Sequence, residues 1–118
     1  RIQLMENAYD RYHLLEPQNF PRTSRTGYLF DPREQLAVYR DADARGEEVA
    51  CIFHSHVDGG AHFSGEDRAM AAPDGVPMAP GVSYLVVSVR QRRASAARLY
   101  RFLEGDFQGT DVPLPPRS

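Results

Sequence analysis

The stretch that most constrains the fold of this chain is the apolar run "EVACIF", which leads directly into "HSH". A short unbroken apolar run is typical of a β-strand that is covered on both faces of a sheet. We therefore predict a buried strand that ends at His54 and His56, and we expect its single cysteine, Cys51, to be a small buried residue.

The segment before this strand, "DPREQLAVYRDADARG", has the features of a helix. Asp31 suits the N-cap, and Gly46 suits the C-terminal end. Leu36, Tyr39 and Ala42 recur at a spacing of three residues, which predicts a buried stripe along one face.

The remaining segments predict further strands and one more helix. We expect strands over "RIQLM", "TGYLFD", "SYLVVSVR", "SAARLYRFLEG" and "DFQGTDVPL", with a turn near "EGD". The polar stretch "ENAYDRYHLLEPQNFPRTSR" predicts a long surface loop, "SGEDRAMAA" a helix, and "PDGVPMAPG" a second loop. This order predicts an α/β (mixed α+β) fold in which helices flank one central mixed sheet.

Composition narrows the class of protein. A chain of 118 residues predicts a single domain over residues 1–118. The formal net charge of −2 argues against a nucleic-acid partner, and no apolar run has the length of a membrane span. One cysteine and no signal sequence predict a cytoplasmic protein.

The two histidines have the spacing of a metal-ligand pair. Residues i and i+2 of an extended chain point to the same face, so His54 and His56 can direct their imidazoles at one point. A catalytic zinc site uses three protein ligands and keeps one position open. Asp67 is the nearest plausible third ligand on a separate element.

The full pattern is His54-Ser55-His56, seven residues, then Ser64-x-x-Asp67. It resembles the JAMM motif of MPN-domain zinc metallopeptidases, E…H-[S/T]-H-x7-S-x-x-D. The resemblance covers most of the chain from about Tyr28 onward and is closest to the bacterial stand-alone members. It implies an MPN-type sheet with the zinc site at the end of a central strand.

The resemblance also implies a role for each matched residue. His54 and His56 would bind Zn²⁺ through ring nitrogens, and Asp67 would complete the ligand set through a carboxylate oxygen. Ser64, the catalytic residue of the set, would donate a hydrogen bond to the developing oxyanion or orient the attacking water. Ser55 would support this geometry.

The sequence departs from the family pattern at two places. Val57 follows the second histidine where many eukaryotic members have proline. The family's general-base glutamate has no match here, since Glu6 lies in the wrong context and Glu34 lies on the helix. We expect this glutamate to lie before Arg1, in an N-terminal segment that the chain lacks.

The function implied by the resemblance is hydrolysis of an amide or isopeptide bond at the C-terminus of a ubiquitin-like protein of the sulfur-carrier type. The alternative is a non-catalytic MPN scaffold that binds partners, but such scaffolds typically lose metal ligands. Neither reading fixes the oligomeric state.

Other residues near the motif have simpler interpretations. Ser64 and Asp67 also fit a capping box for the following helix, which is compatible with metal binding. His62 lies in the variable spacer, where we expect it to face solvent or substrate, and we expect His13 to be solvated. Asp58 invites comparison with the H-x-H-x-D-H motif of metallo-β-lactamase-fold hydrolases, but that motif's last histidine is Gly59 here.

Overall fold

The computed structural model describes residues 1–24 and 27–116. Within the chain, residues 1–49 and 50–118 form two compact units, and each is described by itself. The single-domain organisation stays a prediction. Among the described residues, no helix is both long enough and apolar enough to cross a membrane.

The first unit contains two helices, α1 (Tyr9–Leu15) and α2 (Pro32–Ala44). The predicted cap of α2 is confirmed, because the Asp31 side chain accepts hydrogen bonds from the backbone N–H groups of Arg33 and Glu34. Gly46 follows the helix with φ of 69°, a left-handed conformation that glycine adopts without strain. The stripe is confirmed only in part, because Ala42 is buried whereas Leu36 is 50% exposed.

Both strand predictions in this unit are wrong. The segment "RIQLM" forms no strand, and Ile2 and Leu4 are 76% and 75% exposed. Residues 27–31 of "TGYLFD" are also not a strand, while Thr26 lies outside the described residues. Alternation of apolar residues does not by itself make a strand, because the backbone groups also need a partner strand.

The predicted long loop contains helix α1, which the sequence does not predict because a capping residue is absent at its N-terminus. Its N-cap, Ala8, makes no side-chain capping bond. The helix is held by aromatic packing instead, since the rings of Tyr9 and Tyr12 lie 6.5 and 5.0 Å from the ring of Phe20.

The second unit is a four-stranded mixed sheet with one helix. Its elements are β1 (Cys51–Val57), α3 (Gly65–Ala71), a short 3₁₀ turn (Pro73–Gly75), β2 (Ser83–Arg90), β3 (Arg93–Leu103) and β4 (Asp106–Asp111). The strand order is β1-β2-β3-β4, with β1 parallel to β2 and the other pairs antiparallel. The predicted α/β class with a mixed sheet is confirmed, as are the predicted helix α3, strands β1 to β4 and the turn at Glu104 and Gly105.

One face of strand β2 is buried along most of its length. Tyr84, Val86 and Ser88 of β2 are buried in alternation with less buried neighbours. The core combines aromatic and apolar side chains from the strands with others from α3 and the segments beside it: Phe63, Ala71, Ala72, Tyr84, Val86, Tyr100 and Phe107. His54 is paired with Val86 and His56 with Ser88, so both histidines belong to the same face as this core.

The prediction that β1 is covered on both faces is wrong. β1 is an edge strand of the described sheet, not a central one, and Phe53 and Val57 are 41% and 49% exposed. Cys51 shares their face and is exposed, contrary to the expected burial. The apolar run therefore belongs to a strand with one partly buried face and one exposed face, which run length alone does not distinguish.

Candidate metal centre

The site is built first by β1, which presents His54 and His56 on one face. Their Nε2 atoms lie 3.2 Å apart. Both histidines lie within the strand, which continues to Val57, whereas the sequence predicted that the strand ends at them. The residues before and after each histidine pair with β2, and this pairing fixes the positions of both histidines.

The third group comes from the first turn of α3. Asp67 Oδ1 lies 3.3 Å from His54 Nε2, and Asp67 Oδ2 lies 3.3 Å from His56 Nε2. Ser64 fixes the carboxylate through a capping box, since Ser64 N–H donates to Asp67 Oδ2 and Asp67 N–H donates to Ser64 Oγ, each at 3.0 Å. The capping box and the ligand geometry therefore coexist, as the sequence predicted.

The carboxylate is buried, with only 3% of Asp67 exposed. Burial acts to raise the pKa of Asp67, but hydrogen bonds from the two histidines and from Ser64 N–H outweigh it and hold this pKa well below its usual range. In turn the Asp67 carboxylate raises the pKa of His56, more than burial lowers it. The site thus carries an ionised carboxylate that hydrogen bonds stabilise against the effect of burial.

A contact to one ring nitrogen of His56 determines which of its two nitrogens could bind a metal ion. His56 Nδ1 lies 3.0 Å from the carbonyl oxygen of Gly60. A carbonyl only accepts hydrogen bonds, so Nδ1 carries a proton and donates it. In the neutral ring, Nε2 then presents its lone pair to the point shared with His54 and Asp67.

These groups fit a metal ion. One ligand atom from each of His54, His56 and Asp67 lies within 4.8 Å of the others. Two imidazole nitrogens and one carboxylate oxygen make the donor set of a catalytic zinc site, in which a fourth position stays open. The buried, ionised carboxylate is the charge that such a cation would neutralise.

The remaining candidate residues have separate positions. Ser64 lies at the N-cap of α3, beside the carboxylate. Ser55 is exposed, with the alternation of β1 placing it on the opposite face from the histidines. His62 is exposed, as predicted, and its ring lies 5.0 Å from the ring of His56. Asp58 is exposed, and no metal-ligand group in the described chain includes it.

Three further residues that the sequence analysis considered lie in the first unit. Glu6 and Glu34, which the sequence did not favour as general bases, are both exposed. His13 is half-buried, contrary to the expected solvation, because its Nδ1 lies 2.7 Å from the carbonyl oxygen of Phe20.

Sequence reasoning missed two polar residues that hold the loop between β1 and α3. Ser88 of β2 donates a hydrogen bond to the carbonyl of Gly59. Tyr100 of β3 donates one to the carbonyl of Ala61 at 2.8 Å. Both residues lie inside apolar strand sequences, 29 and 39 positions after the loop residues that they contact. The sequence indicates their role only in that each places a hydroxyl group at a strand position where alternation predicts burial.

The mixed sheet, the helix packed on it and the convergent His-His-Asp group define an α/β domain organised around a candidate metal centre. The chain belongs to the prokaryotic homologues of the JAB domain, whose family model matches residues 3–102. This confirms the resemblance to the JAMM/MPN family and its mixed α/β fold.

Curated relatives include proteins named CysO-cysteine peptidase from Mycobacterium bovis and Mycobacterium tuberculosis. The chain is 32% identical to each over 89 residues, which is 75% of this chain and 57% of the relative. The matched part of the chain therefore spans little more than half the length of these relatives.

Proposed function

We propose that this protein is a zinc-dependent metallopeptidase that hydrolyses an amide or isopeptide bond at the C-terminus of a ubiquitin-like protein of the sulfur-carrier type. The observation that carries the proposal is the convergence of His54, His56 and Asp67 in a chain of the JAB family. The name of the mycobacterial relatives supports the substrate class, because it describes a peptidase that acts on a CysO-cysteine substrate.

His54 and His56 would hold the zinc ion through Nε2, and Asp67 through its carboxylate. When bound in such a set, zinc supplies a Lewis acid for the scissile carbonyl and a nucleophile at neutral pH. The Gly60 carbonyl accepts the proton of His56 Nδ1, so that Nε2 would be left free to bind the metal.

Ser64 would act on the substrate carbonyl. Its oxygen already accepts the capping bond from Asp67 N–H, which leaves the hydroxyl proton to donate elsewhere. A donor beside the metal ligands can stabilise the negative charge that develops on a carbonyl oxygen.

The first experiment measures metal content. The purified protein should contain about one zinc ion per chain, and Asp67→Asn should lose it, because the amide keeps the capping acceptor but removes the charge. Asp58→Asn is the matched control: it removes a neighbouring exposed carboxylate at φ of 56°, a conformation that asparagine tolerates. Parent protein without zinc, or Asp67→Asn with parental zinc content, would refute the metal assignment.

The second experiment tests the reaction. Zinc-loaded full-length protein is mixed with a sulfur-carrier protein that bears a C-terminal extension, and the products are weighed by mass spectrometry. We expect the trimmed mass with the parent and with Asp58→Asn, and the intact mass with Asp67→Asn. Zinc binding without cleavage would instead support the non-catalytic scaffold.

A further inference from the structure

Three consecutive carbonyl groups in the loop between β1 and α3 each accept a hydrogen bond from a different strand. Gly59 accepts from Ser88 of β2, Gly60 accepts from His56 of β1, and Ala61 accepts from Tyr100 of β3. A loop backbone is thus fastened at three successive points by side chains that the sheet holds in place.

The Tyr100 bond is buried, and the Ser88 bond is partly buried although the Ser88 side chain itself is not exposed. Ser88 is 2% exposed and Tyr100 is 7% exposed, while Ala61, which accepts the Tyr100 bond, is 8% exposed. A second serine supports the first, because Ser95 Oγ donates to the Ser88 carbonyl at 3.2 Å and lies 3.2 Å from Ser88 Oγ. Hydroxyl groups at such depth keep their bonds, because an unmet buried hydrogen bond is costly.

The middle bond orients the candidate ligand. The position of the Gly60 carbonyl determines where His56 Nδ1–H can point, and therefore where Nε2 points. The carbonyls of Gly59 and Ala61 belong to the planar peptide units before and after the unit that contains the Gly60 carbonyl. Holding these two units restricts how the unit between them can turn.

We propose that Ser88 and Tyr100 are positioning residues: they hold the Gly60 carbonyl, and through it the His56 imidazole, in the orientation in which Nε2 faces His54 and Asp67. The consequence for metal affinity rests on the proposed function, whereas the orientation of the ring does not. In this role both residues act through the backbone of the loop between β1 and α3.

The competing explanation is that both hydroxyl groups only stabilise the core. Tyr100 also packs its ring on Phe63 with centroids 5.1 Å apart, so its removal would disturb packing whatever the hydroxyl does. Tyr100→Phe separates the two roles, since it keeps the ring and removes only the donor. Ser88→Ala does the same for the second bond.

The control variant weakens the same core without removing a bond to the loop. Phe102 packs on Phe107, with ring centroids 5.1 Å apart, and belongs to the margin of the core. Phe102→Leu should therefore lower the unfolding temperature without changing His56.

The first readout uses metal-free full-chain protein and ¹⁵N NMR of the histidine rings, at a pH above the imidazole pKa values. The parent and Phe102→Leu should show His56 as the tautomer protonated at Nδ1. Tyr100→Phe and Ser88→Ala should show a mixture of tautomers. Parental His56 signals in both hydroxyl variants would overturn the proposal, whether or not the protein binds zinc.

The second readout uses metal. We expect each hydroxyl variant to bind zinc about tenfold more weakly, the lower end of the effect of losing an outer partner of a metal ligand. The visible spectrum of the cobalt-substituted protein should change in both variants and not in Phe102→Leu. Equal affinity and spectra in folded hydroxyl variants would overturn the proposal, and failure of the parent to bind zinc would refute the proposed function alone.

Discussion

Ser64 combines a structural bond and a proposed chemical role in one hydroxyl group. Its oxygen caps α3 by accepting from Asp67 N–H at 3.0 Å, and its proton is the proposed donor to the substrate. A substitution that removes the hydroxyl therefore changes stability and activity together, unless the cap is replaced independently.

Glycine and alanine at this position separate the two effects. Ser64→Ala should destabilise the protein by about 1 kcal/mol, whereas Ser64→Gly should cost only roughly a few tenths, because glycine is an acceptable N-cap. Both should reduce kcat by about 100- to 1,000-fold, since neither can donate a hydrogen bond. Denaturation and cleavage assays on the two variants check this, and a kcat loss that follows the stability loss would assign Ser64 to capping alone.

The residues of the candidate centre were predictable because the information is local. His54 and His56 are related by strand alternation, and Ser64 and Asp67 by the first turn of a helix, so spacing alone brings each pair together. The contributions of Ser88 and Tyr100 were not predictable, because a tertiary fold brings them to residues 59–61 from 29 and 39 positions away.

At the scale of elements, α2 depends on the charge of its cap. Hydrogen bonds from Arg33 N–H lower the pKa of Asp31 more than burial raises it, and Glu34 N–H, the Tyr12 hydroxyl and Arg11 lower it further. The carboxylate therefore stabilises the folded state above its unfolded pKa of about 3.9, and this contribution is lost as the pH falls through the lower folded value.

Asp31→Asn keeps a capping acceptor but removes this titration. At neutral pH the variant should unfold at a lower temperature than the parent, and the two should converge as the pH falls below 3.9 or so. Circular dichroism melts across this range measure the difference. Asp43→Asn, near the C-terminal end of α2, should be neutral or slightly stabilising at neutral pH, because a negative charge there opposes the helix dipole. If the difference in unfolding temperature between the parent and Asp31→Asn did not change with pH, the prediction would be contradicted.

Strand β4 is connected to the candidate centre through the ring of Tyr100. A Cβ added to Gly109 would lie 2.6 Å from Tyr100 Cε1 and 3.1 Å from Cδ1, so the buried ring would have to move. Gly109→Ala should therefore cost about 1–3 kcal/mol through overpacking. It should also weaken zinc binding, because a displaced ring cannot keep its hydroxyl on the Ala61 carbonyl.

Gly65→Ala is the matched control for this substitution. An added Cβ at Gly65 meets nothing within 4 Å, and the residue begins a helix, so a gain of about 0.4–1 kcal/mol is expected. Chemical denaturation and zinc titration of both variants check the prediction. Gly109→Ala with parental stability and affinity would show that the ring moves without consequence.

At the scale of the molecule, the sequence predicted the α/β class but not the environment of every strand. Apolar alternation predicted strands in both halves, yet only those that find a partner formed, so "SYLVVSVR" became β2 and "RIQLM" did not become a strand. Likewise the aromatic contacts that hold α1 join residues that no local rule connects. Pairing and packing between distant segments decide such cases, and a single sequence does not record them.

The predicted single domain has a consequence for metal binding. A ligand that binds only the folded state stabilises it, by about 2.7 kcal/mol when present at 100 times its Kd. If residues 1–49 and 50–118 unfold together, zinc bound at His54, His56 and Asp67 should slow amide exchange in α2 and in β2 equally, by about 100-fold.

Amide hydrogen exchange at Tyr39 of α2 and Val86 of β2 measures this effect, under conditions in which both amides exchange through global unfolding of the unit that contains them. Zinc should slow both in the parent and neither in Asp67→Asn, which lacks the charge that binds the metal. Slowing at Val86 alone would show that the two units unfold independently, and the chain would then comprise two domains with the metal centre confined to the second.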